Sequence, residues 1–479
     1  MDNKGKVLND FKKMKRIVSH YIRREKWEKA LKTIFFASGF MYTLNQILYD
    51  SELEDMVEYI AKSNIPRGDF ETNERIVLFY DESGAIKRGL ARIYLEALHS
   101  LNVPVKYVTY LRLKDSGEEA GKLIGKDNLY FIEGNTYLAQ MKSLAAIIKD
   151  IGAGKVFIYT NPDDVVGIGV FSAYKRKLQR YLINQTDHAF WLGRNASDII
   201  INFREFGYRA CEQLRDISEE QLVYLPYYPH KREEKFGGLP FIDKTKKFIF
   251  SGGALYKTIS TDNKYYKLIE TVLRMNEDVN FIYFGNGASR RIRKLRAKFP
   301  DRVYWEKERD DFYAIMERCT IYLSTYPYNG GLMTQYALLA GKIPVTLHCN
   351  GIERELAIHD EENFWNFDSF EGCVEEIKKL LRDDLYRKEK ESKLNYFLID
   401  SHQFAEELKY ILNTGKSLRE CKKESIEFEG FMREPMDYYT GLKYDRLFYR
   451  RGCKFIIWFF PLKYFRGAVE MVVELMNLR

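Results

Sequence analysis

Twice along the 479 residues, short apolar runs of strand length alternate with amphipathic runs of helical period, and a polar stretch at 230–245 separates the two series. Strands joined through helices lie parallel, because the crossover between parallel strands needs a dozen or more residues. A parallel sheet must then be covered on both faces. The pattern predicts α/β architecture with two Rossmann-like, doubly wound domains.

The first series opens with Arg75–Tyr80 and a turn at Asp81–Gly84. It continues through a helix over Ala91–Leu98, strand runs at Val103–Thr109, Asn128–Ile132 and Lys155–Tyr159, and a helix over Leu138–Lys149. The second predicts strands at Lys247–Gly253, Phe281–Phe284, Val303–Trp305, Ile321–Ser324 and Ile343–Leu347. Between them fall helices at Tyr265–Met275, Ala288–Lys298, Phe312–Arg318 and Met333–Ala340. Ahead of both series, Trp27, Ala30, Leu31, Ile34 and Phe35 take helical spacing, which Met41, Leu44, Ile47 and Leu48 continue, so a helical hairpin is expected before Pro66. The domains expected are a helical segment at 1–66, a first Rossmann-like domain at 67–235, a second at 240–415, and a tail at 416–479.

Charge concentrates at the ends. Residues 1–30 hold ten Lys and Arg against four acids and residues 440–479 eight against three; since the whole chain is only +8, its body is slightly acidic. A nucleic-acid enzyme spreads basic residues across its body, whereas basic ends suit an anionic membrane surface. The aromatic run Phe448–Pro461, with Ile456–Phe460 flanked by Arg450, Arg451, Lys454, Lys463 and Arg466, is read as an interfacial segment. Thr33–Tyr49 is too polar to span a bilayer and no secretory signal is evident. Six scattered cysteines without a CxxC pair read as reduced thiols. The expected location is cytoplasmic, peripheral on the inner face of the cell membrane.

Ligands bind outside the carboxyl ends of strands in such sheets. Three loops qualify in the second series: Ser251–Lys257 with Gly252 and Gly253; Gly285-Asn286-Gly287; and Tyr326–Thr334. Small residues let backbone approach a phosphate, and a helix beginning after the glycines aims unpaired amides at it. Asn329, Gly330, Gly331, Met333 and Thr334 thus form a diphosphate cradle, with Lys257 adding charge. The blander alternative is that each Gly pair only makes a turn.

The run Tyr328–Leu347, in which a Gly-rich loop opens a helix ending in Gly341-Lys-Ile-Pro-Val345, resembles the donor signature of GT-B glycosyltransferases. Phe250-Ser-Gly-Gly253 and Phe284-Gly-Asn-Gly287 precede it in the family's order. The resemblance covers about 240–370 well and 70–235 more weakly. It implies a nucleotide-sugar donor, a UDP-sugar above others, with no other cofactor and no required metal. The Glu pair of many retaining members is replaced here by Tyr328 and Tyr336. The Asn-Gly-Gly-x-Met-Thr form, with Thr346 after Pro344-Val345, is similar to the O-GlcNAc transferase-like and adhesin-modifying branch, which inverts. Gln335 is left as a polar contact to the ribose.

In the first series Asn184–Gly193 carries an Asp-His dyad and resembles a cleft-facing segment of bacterial GT-B enzymes. An inverting transfer needs a base, and imidazole titrates near neutrality. His188 is the candidate and Asp187 the second, with His348 a rival; a loop-orienting histidine is the plain alternative. Asp81, Ser83, Gly84 and Arg88 are placed at a cleft rim, Gly89 is read as a packing glycine at the helix start, and Asp163-Asp164 is read as a turn rather than a metal pair. The function expected is transfer of a sugar to a hydroxyl acceptor, a lipid-linked glycan of a surface polysaccharide. Alternatives are a protein glycosyltransferase and a non-catalytic glycan-binding subunit. A nucleotide-sugar epimerase would want acidic and His residues clustered on both cleft walls, a cluster the sequence does not display.

Overall fold

The computed structural model describes residues 3–66, 70–84, 86, 90–230, 234–241, 243, 245–260, 262–287, 289–347, 365–394, 396, 398–421, 444–450 and 454–478. Contacts divide the chain into two compact units, each described by itself.

The first unit begins with three helices, α1 (Asn3–Ile22), α2 (Trp27–Leu44) and α3 (Ser51–Asn64), in place of the expected hairpin. The apolar spacing runs on across the break. Asn45 nonetheless closes α2 in the left-handed region (φ 49°), and the Asp50 carboxylate opens α3 by accepting the Leu53 amide. Caps of this kind end helices that periodicity alone would extend.

There follow β1 (Asn73–Asp81), α4 (Leu90–Ser100), β2 (Val105–Tyr110), α5 (Lys114–Ile124), β3 (Leu129–Ile132), α6 (Tyr137–Ile151), β4 (Ala153–Tyr159), α7 (Val165–Ala173), β5 (Gln179–Ile183), β6 (Ile199–Asn202), α8 (Glu205–Leu214) and β7 (Leu222–Tyr224). The seven strands form one parallel sheet in the order β3-β2-β1-β4-β5-β6-β7. Tyr107, Phe79, Phe157 and Tyr181 share one register across four neighbouring strands, their rings stacked at 6.2, 6.2 and 5.0 Å. A slip of one residue would turn a strand's aromatic ring to the other face, so this row pins the pairing.

The second unit, built mainly from Tyr228–Leu398, holds β8 (Phe248–Gly252), α9 (Lys264–Met275), β9 (Asn280–Phe284), α10 (Arg290–Lys298), β10 (Val303–Glu306), α11 (Phe312–Met316), β11 (Ile321–Leu323), α12 (Gly331–Leu339), β12 (Pro344–Leu347), β13 (Asn366–Phe367), α13 (Phe370–Arg382) and α14 (Asp384–Ser392). Its sheet order is β10-β9-β8-β11-β12-β13. Alternation along β8 feeds two cores. Ile249 joins Leu268, Val272 and Ile377 on one face, while Phe248 and Phe250 join Tyr313, Tyr322 and Ala337 on the other.

The C-terminal elements differ from the domain limits read from sequence. Helix α15 (Ser401–Thr414), expected in the second domain, clusters with the first unit, where Phe404 meets Tyr94 edge to face at 5.1 Å. Helix α16 (Arg446–Arg450) also packs there, Phe448 lying 5.5 Å from Phe40 and 4.9 Å from Phe460. The Ile456–Phe460 cluster is divided: Ile456 and Phe460 are buried, Ile457 and Phe459 are half-buried, Trp458 is exposed, and Lys13 Nζ donates to the Phe459 carbonyl at 2.6 Å. The exposed apolar residues of this segment are Trp458 (84%) and, on the final helix α17 (Pro461–Leu478), Leu462, Phe465, Val469, Val472 and Val473 (70, 59, 63, 55 and 50%). Among the described residues no helix is long and apolar enough to cross a membrane.

Candidate functional site

In the second unit, strand order reverses between β8 and β11, which makes the space outside their carboxyl ends the natural ligand crevice. The three loops singled out from sequence meet there. The Gly253 amide donates to the Phe284 carbonyl and the Leu255 amide to the Asn286 carbonyl, both at 2.9 Å, and the Tyr328 amide to the Lys257 carbonyl at 3.3 Å. Gly285 is required sterically: a Cβ there would lie 1.8 Å from the Gly253 carbonyl oxygen. Gly253 (φ 134°) and Gly287 (φ 119°) occupy backbone conformations that side chains disfavour. Gly252 sits where a Cβ would come within 3.2 Å of Met333.

Helix α12 starts directly behind Gly330, with no side chain capping its first amides. Those amides carry the partial positive charge of a helix N-terminus. Ser324 Oγ donates to Asn329 Oδ1 and Thr325 Oγ1 to the Tyr328 carbonyl, which holds the loop in shape. The Tyr326–Pro327 peptide is cis. Thr334 is buried, and its Oγ1 has no partner among the described residues. Gln335 is also buried. Tyr336 is a core residue, its ring 4.8 Å from Phe312 and its hydroxyl donating to the His230 carbonyl at 2.6 Å. Tyr328 is half-buried, 6.5 Å from the exposed ring of Tyr256, a rim residue the sequence reading passed over.

In the first unit the reversal falls between β1 and β4. After β1, Asp81 is buried and accepts from the Gly84 amide at 2.8 Å and the Tyr107 hydroxyl at 2.7 Å. After β4, Asp164 caps α7 as a turn reading requires, accepting the Val166 and Gly167 amides and the hydroxyls of Tyr80 and Thr160. Between them stands Glu82, absent from the sequence-derived set. Asn161 donates to its Oε2 from the backbone amide (3.4 Å) and from Nδ2, and Arg112 Nη2 lies 3.6 Å from Oε1. Burial, reinforced by Asp164 and Asp163, pushes this carboxyl up to about 8. Its position straight after a strand was visible in the sequence; its nearness to Asp163 and Asp164 was not.

The loop after β5 carries the dyad. Asp187 is buried and paired through both oxygens with Arg204, and His188 Nδ1 lies 3.3 Å from Asp187 Oδ1. Burial works to raise the Asp187 carboxyl, but Arg204 more than offsets it and holds the group well below the usual carboxylate range. A carboxylate so held is a poor proton acceptor, which removes Asp187 as a base and leaves it an orienting partner for His188. The His188 side chain is 31% exposed. The backbone around it is clamped: Arg215 Nη2 donates to the carbonyls of Asp187 and Ala189 (2.9 and 2.7 Å), and Asn45 brackets the carbonyl of His188 and the amide of Phe190 (2.9 and 3.0 Å). These partners are 17 to 145 residues away in sequence, beyond the reach of any local motif. Thus Asp81 ends β1, and Glu82, Asp163, Asp164 and His188 follow β1, β4 and β5, all at the carboxyl edge of the first unit's sheet. Arg88, Gly89 and His348 lie outside the described residues.

No protein-family profile matches the sequence, and neither does any curated protein. The fold does match solved structures. A putative UDP-N-acetylglucosamine 2-epimerase from Listeria monocytogenes is similar over 74% of this chain and 100% of its own, with TM-score 0.51 and 11% identity. The Anabaena protein HepE, solved with UDP and glucose, is similar over 71% and 100%, with TM-score 0.52 and 13% identity. TarM is similar over 71% and 99%, with TM-score 0.50 and 11% identity. At such identities the likeness is one of fold: two doubly wound domains of the GT-B kind.

Proposed function

We propose that this protein is a glycosyltransferase that moves a sugar from a nucleotide donor, a UDP-sugar, to a hydroxyl acceptor. The observation that carries the reading is the uncapped N-terminus of α12 behind Gly330, at the strand-order reversal of the second sheet and beside Lys257. Helix amides and a lysine there stabilise the charge that grows on a leaving diphosphate. HepE, of the same fold, was solved with UDP and glucose. The exposed Tyr256 ring offers a face for the base.

In the transfer, the acceptor oxygen forms its bond to the anomeric carbon as the bond from that carbon to the diphosphate oxygen breaks. The bonding pair leaves with the diphosphate, and the acceptor proton passes to the His188 imidazole. Asp187, fixed by Arg204, orients the ring and stabilises the imidazolium. No metal is assigned to the step. The acceptor is a lipid-linked glycan at the cytoplasmic face of a membrane, a reading supported by the basic ends and by the exposed Trp458, Leu462, Phe465 and Val469.

A thermal-shift screen of UDP, GDP and dTDP sugars tests the donor, since a ligand that binds only the folded state raises its melting point. UDP-sugars should stabilise, and Lys257→Ala should weaken the shift; no shift with any nucleotide would sink the reading. The likeness in fold to a putative UDP-N-acetylglucosamine 2-epimerase supports one second reading, epimerisation of the nucleotide sugar. Incubating the donor without acceptor separates the two: an epimerised sugar supports the second, an unchanged donor the first.

A further inference from the structure

Three helices precede the first strand of the sheet, and each places a buried side chain on the loop that carries His188. Phe11 of α1 meets Phe190 edge to face at 6.1 Å. Asn45, the left-handed residue that closes α2, holds the His188 carbonyl and the Phe190 amide. Glu54 of α3 is 2% exposed. Its carboxylate takes the amides of Gly193 and Arg194 on Oε1 (3.0 and 3.1 Å) and that of Asn195 on Oε2 (2.6 Å). The Asn195 side chain in turn donates to Asp55 and Glu58 of the same helix, at 2.9 and 3.2 Å.

The bonds from Asn45 and Glu54 end on backbone, so they set the path of the loop. A side-chain amide offers a donor and an acceptor at once, and Asn45 uses both across Ala189, fixing the peptide on either side of that residue. The first of those peptides follows His188 and limits where its ring can point. With Nδ1 held 3.3 Å from Asp187 Oδ1, Nε2 is the nitrogen left to take a proton. Displacing a reacting group by about 1 Å can cost on the order of 100-fold in rate, so a base carried on a loop needs such a hold. Glu54 has no comparable reason to be buried for packing alone. A buried carboxylate is costly unless it is hydrogen-bonded, and an apolar side chain would pack α3 at lower cost. We propose that α1–α3 form a positioning scaffold for the reacting histidine, with Asn45 and Glu54 as the positioning residues that aim His188 Nε2. The proposal rests on the reading of His188 as the base.

The test is long-range 1H–15N NMR of the neutral histidine rings in the full chain, with the His188 signal assigned by its loss in His188→Gln. The wild-type ring should hold its proton on Nδ1, the side of Asp187. Glycine suits the left-handed backbone at position 45, so Asn45→Gly removes the side chain without adding strain. It should return the ring to the mixed tautomers of a free imidazole, and Glu54→Gln gives a second route should Asn45→Gly fail to fold. Turnover of UDP-glucose, UDP-galactose or UDP-N-acetylglucosamine, followed by UDP release, should lose at least ten-fold in kcat in both variants, with KM for the donor within two-fold. Asp50→Ala controls for lost stability: it removes the cap of α3 and the Lys15 pair, and should leave the ring signal and kcat as in the wild type. The proposal is overturned if the wild-type ring already mixes its tautomers, or if a folded Asn45→Gly or Glu54→Gln keeps the wild-type signal. It is equally overturned if kcat falls no further in these variants than in Asp50→Ala. A His188→Gln protein that still turns over counts against the base reading alone, while the ring signal continues to judge the scaffold.

Discussion

At the scale of residues, two buried carboxyls in the first unit carry opposite signs of pH dependence. Asp187 is held below its ordinary value by Arg204, so its contribution to stability is present above pH 3.8 and is lost as pH falls further. Removing the charge takes both Asp187 bonds from Arg204, whose side chain is only 7% exposed. Breaking one partner from a buried pair costs about 3–5 kcal/mol, so Asp187→Asn should lose that much in urea denaturation at pH 7. A loss below 1 kcal/mol would mean that water reaches the guanidinium. Glu82 runs the other way. Its folded value is raised from 4.5 to about 8, so the protonated carboxyl favours the fold fully below pH 4.5, and that advantage is lost as pH rises through 8. Glu82→Gln mimics the neutral form at every pH. Relative to the wild type it should therefore gain stability between pH 5 and pH 8, by on the order of 2–5 kcal/mol at the upper end. Parallel melting curves for the two proteins across that range would refute the raised value.

At the scale of elements, the loops after β8, β9 and β11 act as one unit because backbone bonds join them directly. Gly285→Ala puts a methyl into the Gly253 carbonyl, and the β8 loop must move. UDP binding by calorimetry should fall at least ten-fold. The matched control is Gly341→Ala, where φ is 67° but nothing lies within 4 Å of the added Cβ. It should cost about 1 kcal/mol of stability from backbone strain and leave UDP binding unchanged. Equal binding losses in the two variants would show that the loop contact does not shape the site. These loops were legible in the sequence because glycines at strand ends mark them locally. Strands β1 to β4 and β8 to β12 were legible too, as apolar runs bounded by turns. Strands β5, β6, β7 and β13 were missed for want of the alternation rather than for length: no helix separates β5 from β6, β7 closes the first series against the polar stretch, and β13 has only two residues. The clamp on His188 was illegible for another reason: Asn45, Arg204 and Arg215 are ordinary residues until the fold brings them to one loop.

At the scale of the whole molecule, charge concentrates at both chain ends and apolar exposure toward the C-terminal one, and they differ in strength. Leu462, Phe465 and Val469 recur at intervals of three and four residues, a helical spacing that Val472 and Val473 continue along one stripe of α17, with Trp458 exposed just ahead of it. Burying each is worth about 1.5–3 kcal/mol, whereas each nearby lysine or arginine adds about 1 kcal/mol against an anionic surface. Of the basic residues, Lys463 is tied to Asp10 and Arg466 lies 3.8 Å from Asp445, so apolar insertion should dominate and charge should assist. The full chain should co-sediment with phosphatidylcholine vesicles that contain phosphatidylserine, and 0.5 M salt should weaken that binding without abolishing it. A variant carrying both Leu462→Glu and Phe465→Glu should lose vesicle binding and keep its UDP thermal shift. If the wild type ignores vesicles but forms a dimer by light scattering, and the double variant is monomeric, the stripe is a contact between copies. The lipid-linked acceptor would then lose its main physical support, and a soluble or protein acceptor would take its place.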